Sequence, residues 1–120
     1  MRGCLWIQWH NSSVIVHASS STAAGPYDNH QIIIGNRSAD FFDSDAVQNP
    51  VAVVLHDGSI ALYYVGLTCS PPYTSRDCED SANSSLGVAH APGPDGPWTR
   101  MHTPILASLR PINEEGPLLY

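Results

Sequence analysis

The chain has 120 residues, 42% of them hydrophobic and 13% charged, with a formal net charge of −6 at pH 7. This length suffices for one small domain, and the apolar fraction is that of a globular protein. Five arginines, no lysine and eleven acidic residues cannot form the basic face that nucleic-acid recognition needs. No apolar run is long enough for a membrane span. We therefore expect a soluble acidic protein whose partners include neither nucleic acid nor a membrane.

One sequence pattern occurs twice, in residues 11–27 and again in residues 83–98. Each copy has a polar start, a short apolar strand, a turn of small residues and then Gly-Pro-aromatic. Self-similarity at a long period, built from short strands and Gly/Pro turns, is typical of the blades of a β-propeller. Two copies cannot close a ring. We therefore expect the chain to be a piece of a larger all-β protein.

The apolar runs predict six short strands separated by turns. No segment shows sustained helical periodicity. Ten prolines and nine glycines lie between the apolar runs, as turn residues do in all-β proteins. Asp57-Gly58 predicts a tight hairpin between the third and fourth strands. In chain order the predicted strands are 14–18, 31–35, 51–56, 59–66, 86–91 and 98–101.

These strands predict a single propeller domain of which the chain holds one whole blade. Residues 1–36 would supply the outer strands of one blade, 45–106 a complete four-stranded blade, and 107–120 the start of the next. Gln48-Asn49-Pro50 and Glu115-Gly116-Pro117 then occupy equivalent positions, because proline is tolerated at the start of a strand. The polar residues before each proline would point toward the central axis, where a ligand binds.

The cysteines favour a disulfide in an exposed loop. Cys69 and Cys78 flank a loop rich in proline and polar residues. A disulfide between them would contribute about 2.5–3 kcal/mol on the chain-entropy model. Cys4 is then the odd cysteine, and we expect any partner to lie outside the chain.

Three triplets fit the N-glycosylation rule, and they begin at Asn11, Asn36 and Asn83. Together with a loop disulfide they favour a secreted, extracellular glycoprotein. Residues 1–10 lack the apolar core of a signal peptide. The expectation is that the leader has been lost by truncation.

Several elements, taken in order, resemble the five-bladed β-propeller glycoside hydrolases of family 43 and their relatives. In that family a blade runs through Asn-Pro, an Asp-Gly hairpin, an aromatic strand ending in glycine, an Ala-Ser strand and Gly-Pro-Trp. The resemblance covers about residues 12–117. The matching segments here are Asn49-Pro50, 57–66, 86–89, 95–100 and 104–106.

The resemblance implies hydrolysis of glycosidic bonds in pentose- or galactose-containing glycans by an inverting mechanism. Such chemistry needs one carboxylic acid and one carboxylate base about 6.5–9.5 Å apart. Glu115 fits the family's general acid, with Glu114 as the alternative register. The family's second acidic position reads Gln48 and Asn49 here, which leaves these amides as substrate-binding candidates and Asp45, or Asp43, as the substituting carboxylate. The general base would lie on a blade outside the chain.

Two other functions remain open beside hydrolysis. The amides at the position of the second carboxylate favour a non-catalytic propeller that binds glycans or proteins. A mannoside phosphorylase would need a basic phosphate pocket, which five arginines and no lysine make a poor fit. The aromatic residues Tyr63, Tyr64 and Trp98 could stack on sugar rings, although Trp98 in its Gly-Pro-Trp turn better suits a wedge between blades.

No cofactor or metal is expected from the sequence. The acidic loop at Asp40, Asp43 and Asp45 lacks the spacing and the closing glutamate of a calcium loop. The six histidines show no ligand spacing, and neither a nucleophile elbow nor a phosphate loop is present. The same loop, being polar, is expected to be solvated. The resemblance implies a carbohydrate as the partner.

Overall fold

The computed structural model describes residues 13–68 and 83–107. These residues form six β-strands and no helix, which confirms the all-β class. The strands are β1 (Ile15–Ser19), β2 (Asn29–Ile34), β3 (Ala46–Val54), β4 (Ile60–Thr68), β5 (Asn83–Ala91) and β6 (Thr99–Arg100). Across the described ranges, no helix with the length and apolarity of a membrane span occurs.

The strands form two antiparallel sheets. β1 and β2 make a two-stranded sheet, and the other four strands form a sheet in the order β3-β4-β5-β6. Each strand of the larger sheet pairs with its neighbour in sequence, so the connections are hairpins rather than crossovers. Neither sheet closes on itself within the described residues.

The sequence repeat is also a structural repeat. The β1–β2 and β5–β6 hairpins both turn through a cis Gly-Pro bond, at Gly25-Pro26 and Gly96-Pro97. Gly25 has φ +85° and Gly96 has φ +86°, a backbone conformation that residues with a side chain rarely adopt. In each turn the glycine N–H donates a 3.1 Å hydrogen bond to the carbonyl three residues earlier. The following aromatic ring, Tyr27 or Trp98, lies directly over its glycine.

Strand β3 is longer than the sequence predicted and has a different start. The predicted strand covered residues 51–56, with Pro50 at its beginning, whereas β3 runs from Ala46 to Val54 and contains Pro50. The pairing with β4 shifts between Gln48 and Val51, and Asn49 has φ +52°. A bulge of this kind removes residues from the ladder, so a proline without an N–H is accepted there. The prediction of Pro50 as the first strand residue was therefore wrong.

The other boundaries differ by fewer residues. β5 begins at Asn83, earlier than predicted. The reason is that it pairs with β4 along the whole length of β4, up to Thr68, which lies opposite Asn83. β6 is only two residues long, with Thr99 opposite His90 and Arg100 opposite Ala89 of β5. The Asp57-Gly58 hairpin forms as predicted, and the Leu55 N–H donates a 2.8 Å hydrogen bond to the Ser59 carbonyl.

A single apolar core joins the two sheets. Its buried members from the small sheet are Ile15 and Ile34, and those from the large sheet are Val47, Leu62, Tyr64 and Ala89. Burying each large apolar side chain stabilises the fold by about 1.5–3 kcal/mol. Trp98 is half-buried and packs against the same core. The Val47 N–H donates a 3.1 Å hydrogen bond to the Ser13 carbonyl, which ties the N-terminal end of the small sheet to β3.

Candidate functional site

The loop between β2 and β3 holds a carboxylate that is completely buried. Asp43 has no exposed side-chain surface. Its Oδ1 accepts a 2.7 Å hydrogen bond from Arg37 Nε, and its Oδ2 accepts bonds from the Tyr64 hydroxyl at 2.7 Å and Arg100 Nη1 at 3.1 Å. The polar sequence of this loop predicts that it is solvated. That expectation was wrong for Asp43, because two guanidinium groups and a phenol replace its water.

Aromatic rings shield this ion-pair cluster from solvent. The guanidinium carbon of Arg37 lies 4.1 Å from the centre of the Phe41 ring and 5.5 Å from that of Phe42. Phe42 stacks on Tyr64 with ring centres 6.2 Å apart, and Phe41 stacks on His102 at 5.5 Å. A cation held over a ring face is attracted by the ring quadrupole. The aromatic residues thus lower the cost of keeping Arg37 out of water.

Two glycines create the space into which the loop fits. A Cβ at Gly66 would lie 2.6 Å from the Asp43 Cβ, and one at Gly87 would lie 2.6 Å from the Phe42 ring. Such separations are far inside van der Waals contact. The smooth strip that Gly66 and Gly87 leave on neighbouring strands is therefore what lets the Phe42-Asp43 segment lie against the sheet.

The surroundings of Tyr64 favour the neutral form of its phenol. Burial raises the pKa of Tyr64 above its ordinary value, and the hydrogen bond and negative charge of Asp43 raise it further. With both oxygens occupied and no surface exposed, Asp43 has no oxygen that could reach a substrate. The expectation that Tyr64 could stack on a sugar was wrong for the same reason, since its ring is 0% exposed.

Asp45, the other candidate carboxylate of the loop, is half-buried immediately before β3. Its backbone is fixed from two directions: its N–H donates a 3.1 Å hydrogen bond to the Leu67 carbonyl, and its carbonyl accepts one of 3.2 Å from Asn36 Nδ2. Ser44 Oγ lies 3.5 Å from Asp45 Oδ2. Of the two carboxylates named for this loop, Asp45 is thus the one with solvent access.

Gln48 and Asn49, the predicted substrate-binding amides, lie at the bulge of β3. Val47 is buried in the core, so the next residue, Gln48, points to the opposite face of the sheet, opposite Val65. Both amides are half-buried. The structure therefore places Asp45 immediately before β3 and Gln48 and Asn49 within the first part of that strand.

The structure describes only some of the other predicted site residues. The candidate acids Glu114 and Glu115, the cysteines Cys4, Cys69 and Cys78, and the sequon residue Asn11 lie outside the described residues. Asn36 is exposed, although its amide nitrogen already donates to Asp45. The backbone of Asn83 pairs with Thr68 at the start of β5. The disulfide and the glycosylation sites remain predictions.

Metal ligation finds no support within residues 13–68 and 83–107, where no group of three or more His, Cys, Asp or Glu side chains could hold an ion. Sequence reasoning did not find the roles of Arg37 and Arg100 in the Asp43 cluster. The two arginines are far apart in sequence and follow no motif. The signal available was composition alone, since a chain with only five arginines uses two of them here.

Comparison with known proteins identifies no relative. No protein-family profile matches the chain, and no curated protein or solved structure matches it significantly. The resemblance to family 43 therefore depends on the order and spacing of the sequence elements alone.

Proposed function

We propose that this chain is part of a secreted β-propeller glycoside hydrolase that cleaves pentose- or galactose-containing glycans with inversion. In this proposal Glu115 is the general acid, Asp45 is the carboxylate that orients it, and Gln48 and Asn49 bind the substrate. The general base is supplied by a part of the polypeptide outside these residues.

The observation that carries the proposal is the position of three polar residues around the start of β3. Asp45 lies immediately before β3, the first strand of a four-stranded antiparallel sheet, Gln48 and Asn49 lie within it, and all three are half-buried. In a propeller the first strand of each blade lines the axis, where the ligand binds. The positive φ of Asn49 holds the bulge that redirects this segment away from a regular ladder.

The repeated hairpin supports the propeller architecture. Propellers arise from radial repetition of four-stranded sheets. The β5–β6 hairpin forms the last two strands of the larger sheet, and its turn has the same geometry as the turn between β1 and β2. This match is expected if β1 and β2 are the last two strands of a preceding sheet. Asp43 is not assigned a role in the proposal, because both of its carboxylate oxygens accept hydrogen bonds in the protein interior.

The test is an assay of the protein expressed from its complete reading frame on aryl pentosides, aryl galactosides and plant glycans. Three variants accompany the wild type: Glu115→Gln, Asp45→Asn and the exposed-turn control Asp95→Asn. General acid catalysis contributes about 10²–10⁴-fold. We expect kcat to fall by about that factor in Glu115→Gln, to fall less in Asp45→Asn, and to be unchanged in Asp95→Asn.

A non-catalytic glycan-binding propeller is the second candidate, favoured by one observation. The side chains at the bulge, Gln48 and Asn49, are amides, which donate and accept hydrogen bonds to sugar hydroxyls but cannot transfer a proton at neutral pH. Glycan binding without turnover in the wild type, weakened by Gln48→Ala and not by Asp95→Asn, would favour this function and contradict hydrolysis.

A further inference from the structure

The two ends of the loop between β2 and β3 are joined by one side chain. Asn36 is the second residue after β2, and Asp45 is the last residue before β3. Asn36 Nδ2 donates a 3.2 Å hydrogen bond to the Asp45 carbonyl. A compact loop whose ends lie close together is an Ω-loop, and such loops frequently carry function. The contact that closes this loop therefore holds the backbone of the residue proposed to orient the general acid.

A second contact closes the same loop further inside. Arg37 Nε donates a 2.7 Å hydrogen bond to Asp43 Oδ1, and this pair is bracketed in sequence by Asn36 and Asp45. Two backbone hydrogen bonds, of 3.1 and 3.3 Å, shape the turns within the loop. The loop therefore has a defined shape, and the Asn36 contact sets where it meets β3.

The backbone of Asp45 is held on both of its polar groups. Its N–H donates a 3.1 Å hydrogen bond to the Leu67 carbonyl, which ties it to the larger sheet. Its carbonyl accepts the bond from Asn36, which ties it to the start of the loop. With both groups engaged, the direction in which the half-buried Asp45 side chain leaves the backbone is fixed. Asn36 supplies the half of this restraint that comes from a side chain.

We propose that Asn36 is a positioning residue, whose unmodified amide fixes Asp45 for its action on the general acid. This inference rests on the proposed hydrolase function, because without that reaction Asp45 has no acid to orient. Asn36 also begins one of the three sequons, so a glycan would be attached to the same Nδ2 atom. The proposal assigns this nitrogen to the hydrogen bond with Asp45 and not to a glycan.

The exposure of Asn36 separates its role from the stability of the fold. Asn36 is exposed, whereas the side chains of the inner pair, Arg37 and Asp43, are only 13% and 0% exposed. Substitutions at the surface usually change the free energy of unfolding little. Ser38 provides a matched control, because it is exposed and supplies the hydroxyl of the sequon. Ser38→Ala thus removes any glycan while the Asn36 amide stays.

The test measures kcat and KM of Asn36→Ala, Ser38→Ala and Asp45→Asn in the protein expressed from its complete reading frame. Two substrates with the same sugar are compared: a dinitrophenyl glycoside, whose leaving group departs without a proton, and a phenyl glycoside, which depends on the general acid. We expect Asn36→Ala to lower kcat on the phenyl glycoside by about two- to tenfold, the worth of one hydrogen bond, with KM unchanged. On the dinitrophenyl glycoside kcat should be unchanged, and Ser38→Ala should match the wild type on both. If Asn36→Ala does not fold, Asn36→Asp replaces it, since it keeps the side-chain shape and removes the N–H donor.

The outcomes distinguish this inference from the proposed function. A wild type that cleaves neither glycoside contradicts hydrolysis, and the positioning role with it. An active wild type whose kcat on the phenyl glycoside falls in Asp45→Asn but not in Asn36→Ala would overturn the positioning role alone. An equal loss on both substrates in Asn36→Ala would show that Asn36 is only structural. The same loss in Ser38→Ala would assign the effect to a glycan.

Discussion

The Tyr64 hydroxyl donates a 2.7 Å hydrogen bond to Asp43 Oδ2 in the interior of the protein, between residues that are both 0% exposed. Tyr64 belongs to the central strand β4, whereas Asp43 lies in the loop before β3. The bond therefore fixes the loop to the middle of the sheet. Because Asp45 is only two residues further on, the same contact also fixes the position at which the candidate site begins.

Removing the charge of Asp43 should strongly destabilise the protein. Asp43→Asn would leave the guanidinium groups of Arg37 and Arg100 without their anion, and their side chains are only 13% and 17% exposed. Removing one partner of a buried ion pair lowers the free energy of unfolding by about 3–5 kcal/mol. Urea unfolding followed by circular dichroism measures this loss. The control Asp95→Asn, in an exposed turn, should change the free energy of unfolding by less than about 0.5 kcal/mol.

Replacing Gly66 or Gly87 by alanine, which adds a methyl group where the Phe42-Asp43 segment lies against the sheet, should also destabilise the protein. A Cβ at Gly87 would meet the Phe42 ring and the Tyr64 ring at 2.6 and 2.8 Å, so Gly87→Ala forces the loop away from the sheet. Overpacking of this kind costs about 1–3 kcal/mol. Gly93→Ala is the matched control, because no atom lies within 4 Å of its added Cβ. Equal stability of the Gly87 and Gly93 variants would contradict the close approach.

The Phe42 ring provides a second check of this contact. If the ring causes the overlap at Gly87, the double variant Phe42→Ala with Gly87→Ala should be more stable than the sum of the two single losses predicts. Contacting residues typically show coupling energies of about 0.5–3 kcal/mol in such a cycle. Strict additivity in urea unfolding would mean that the penalty at Gly87 has another source.

Alkaline pH should unfold the protein through Tyr64. Its pKa is raised in the folded state, mainly by burial. A raised folded-state pKa contributes stability that is present below the unfolded value of about 10 and is lost as the pH rises above it. Thermal unfolding across this range should therefore show a steep decline of Tm in the wild type and a shallower one in Tyr64→Phe. Tyr63→Phe, on the opposite face of β4, should retain the wild-type decline.

Acidic pH should weaken the β3–β4 hairpin at Asp57. Its Oδ1 accepts hydrogen bonds from Ser59 Oγ at 2.6 Å and from the Ser59 N–H at 3.0 Å, and these bonds lower the pKa of the carboxyl group. The resulting stability is present above the unfolded pKa of about 3.9 and is lost as the pH falls through the folded value. Asp57→Ala should lower Tm at neutral pH, and its difference from the wild type should shrink as the pH falls below the unfolded pKa of about 3.9. A difference that persists in acid would contradict this.

Local patterns in the sequence were sufficient for the strands and the turns. The run of apolar and aromatic residues at 59–66 and the Asp57-Gly58 dipeptide predicted β4 and its hairpin correctly, because both depend on neighbours in the chain. The repeat predicted matching hairpins at Gly25-Pro26 and Gly96-Pro97 for the same reason. The start of β3 could not be predicted, since Pro50 normally marks a strand end and only the bulge with Asn49 allows it inside.

The sequence by itself determined an acidic all-β chain with one repeated hairpin, because composition and short-range periodicity decide which segments become strands. It also named Asp45, Gln48 and Asn49, whose proximity follows from their adjacency in the chain. Only the tertiary structure decided that Asp43 is buried between Arg37 and Arg100 while Asp45 keeps access to solvent. The reason is that the partners of a buried charge come from distant strands, and no local pattern records which of two nearby carboxylates will meet them.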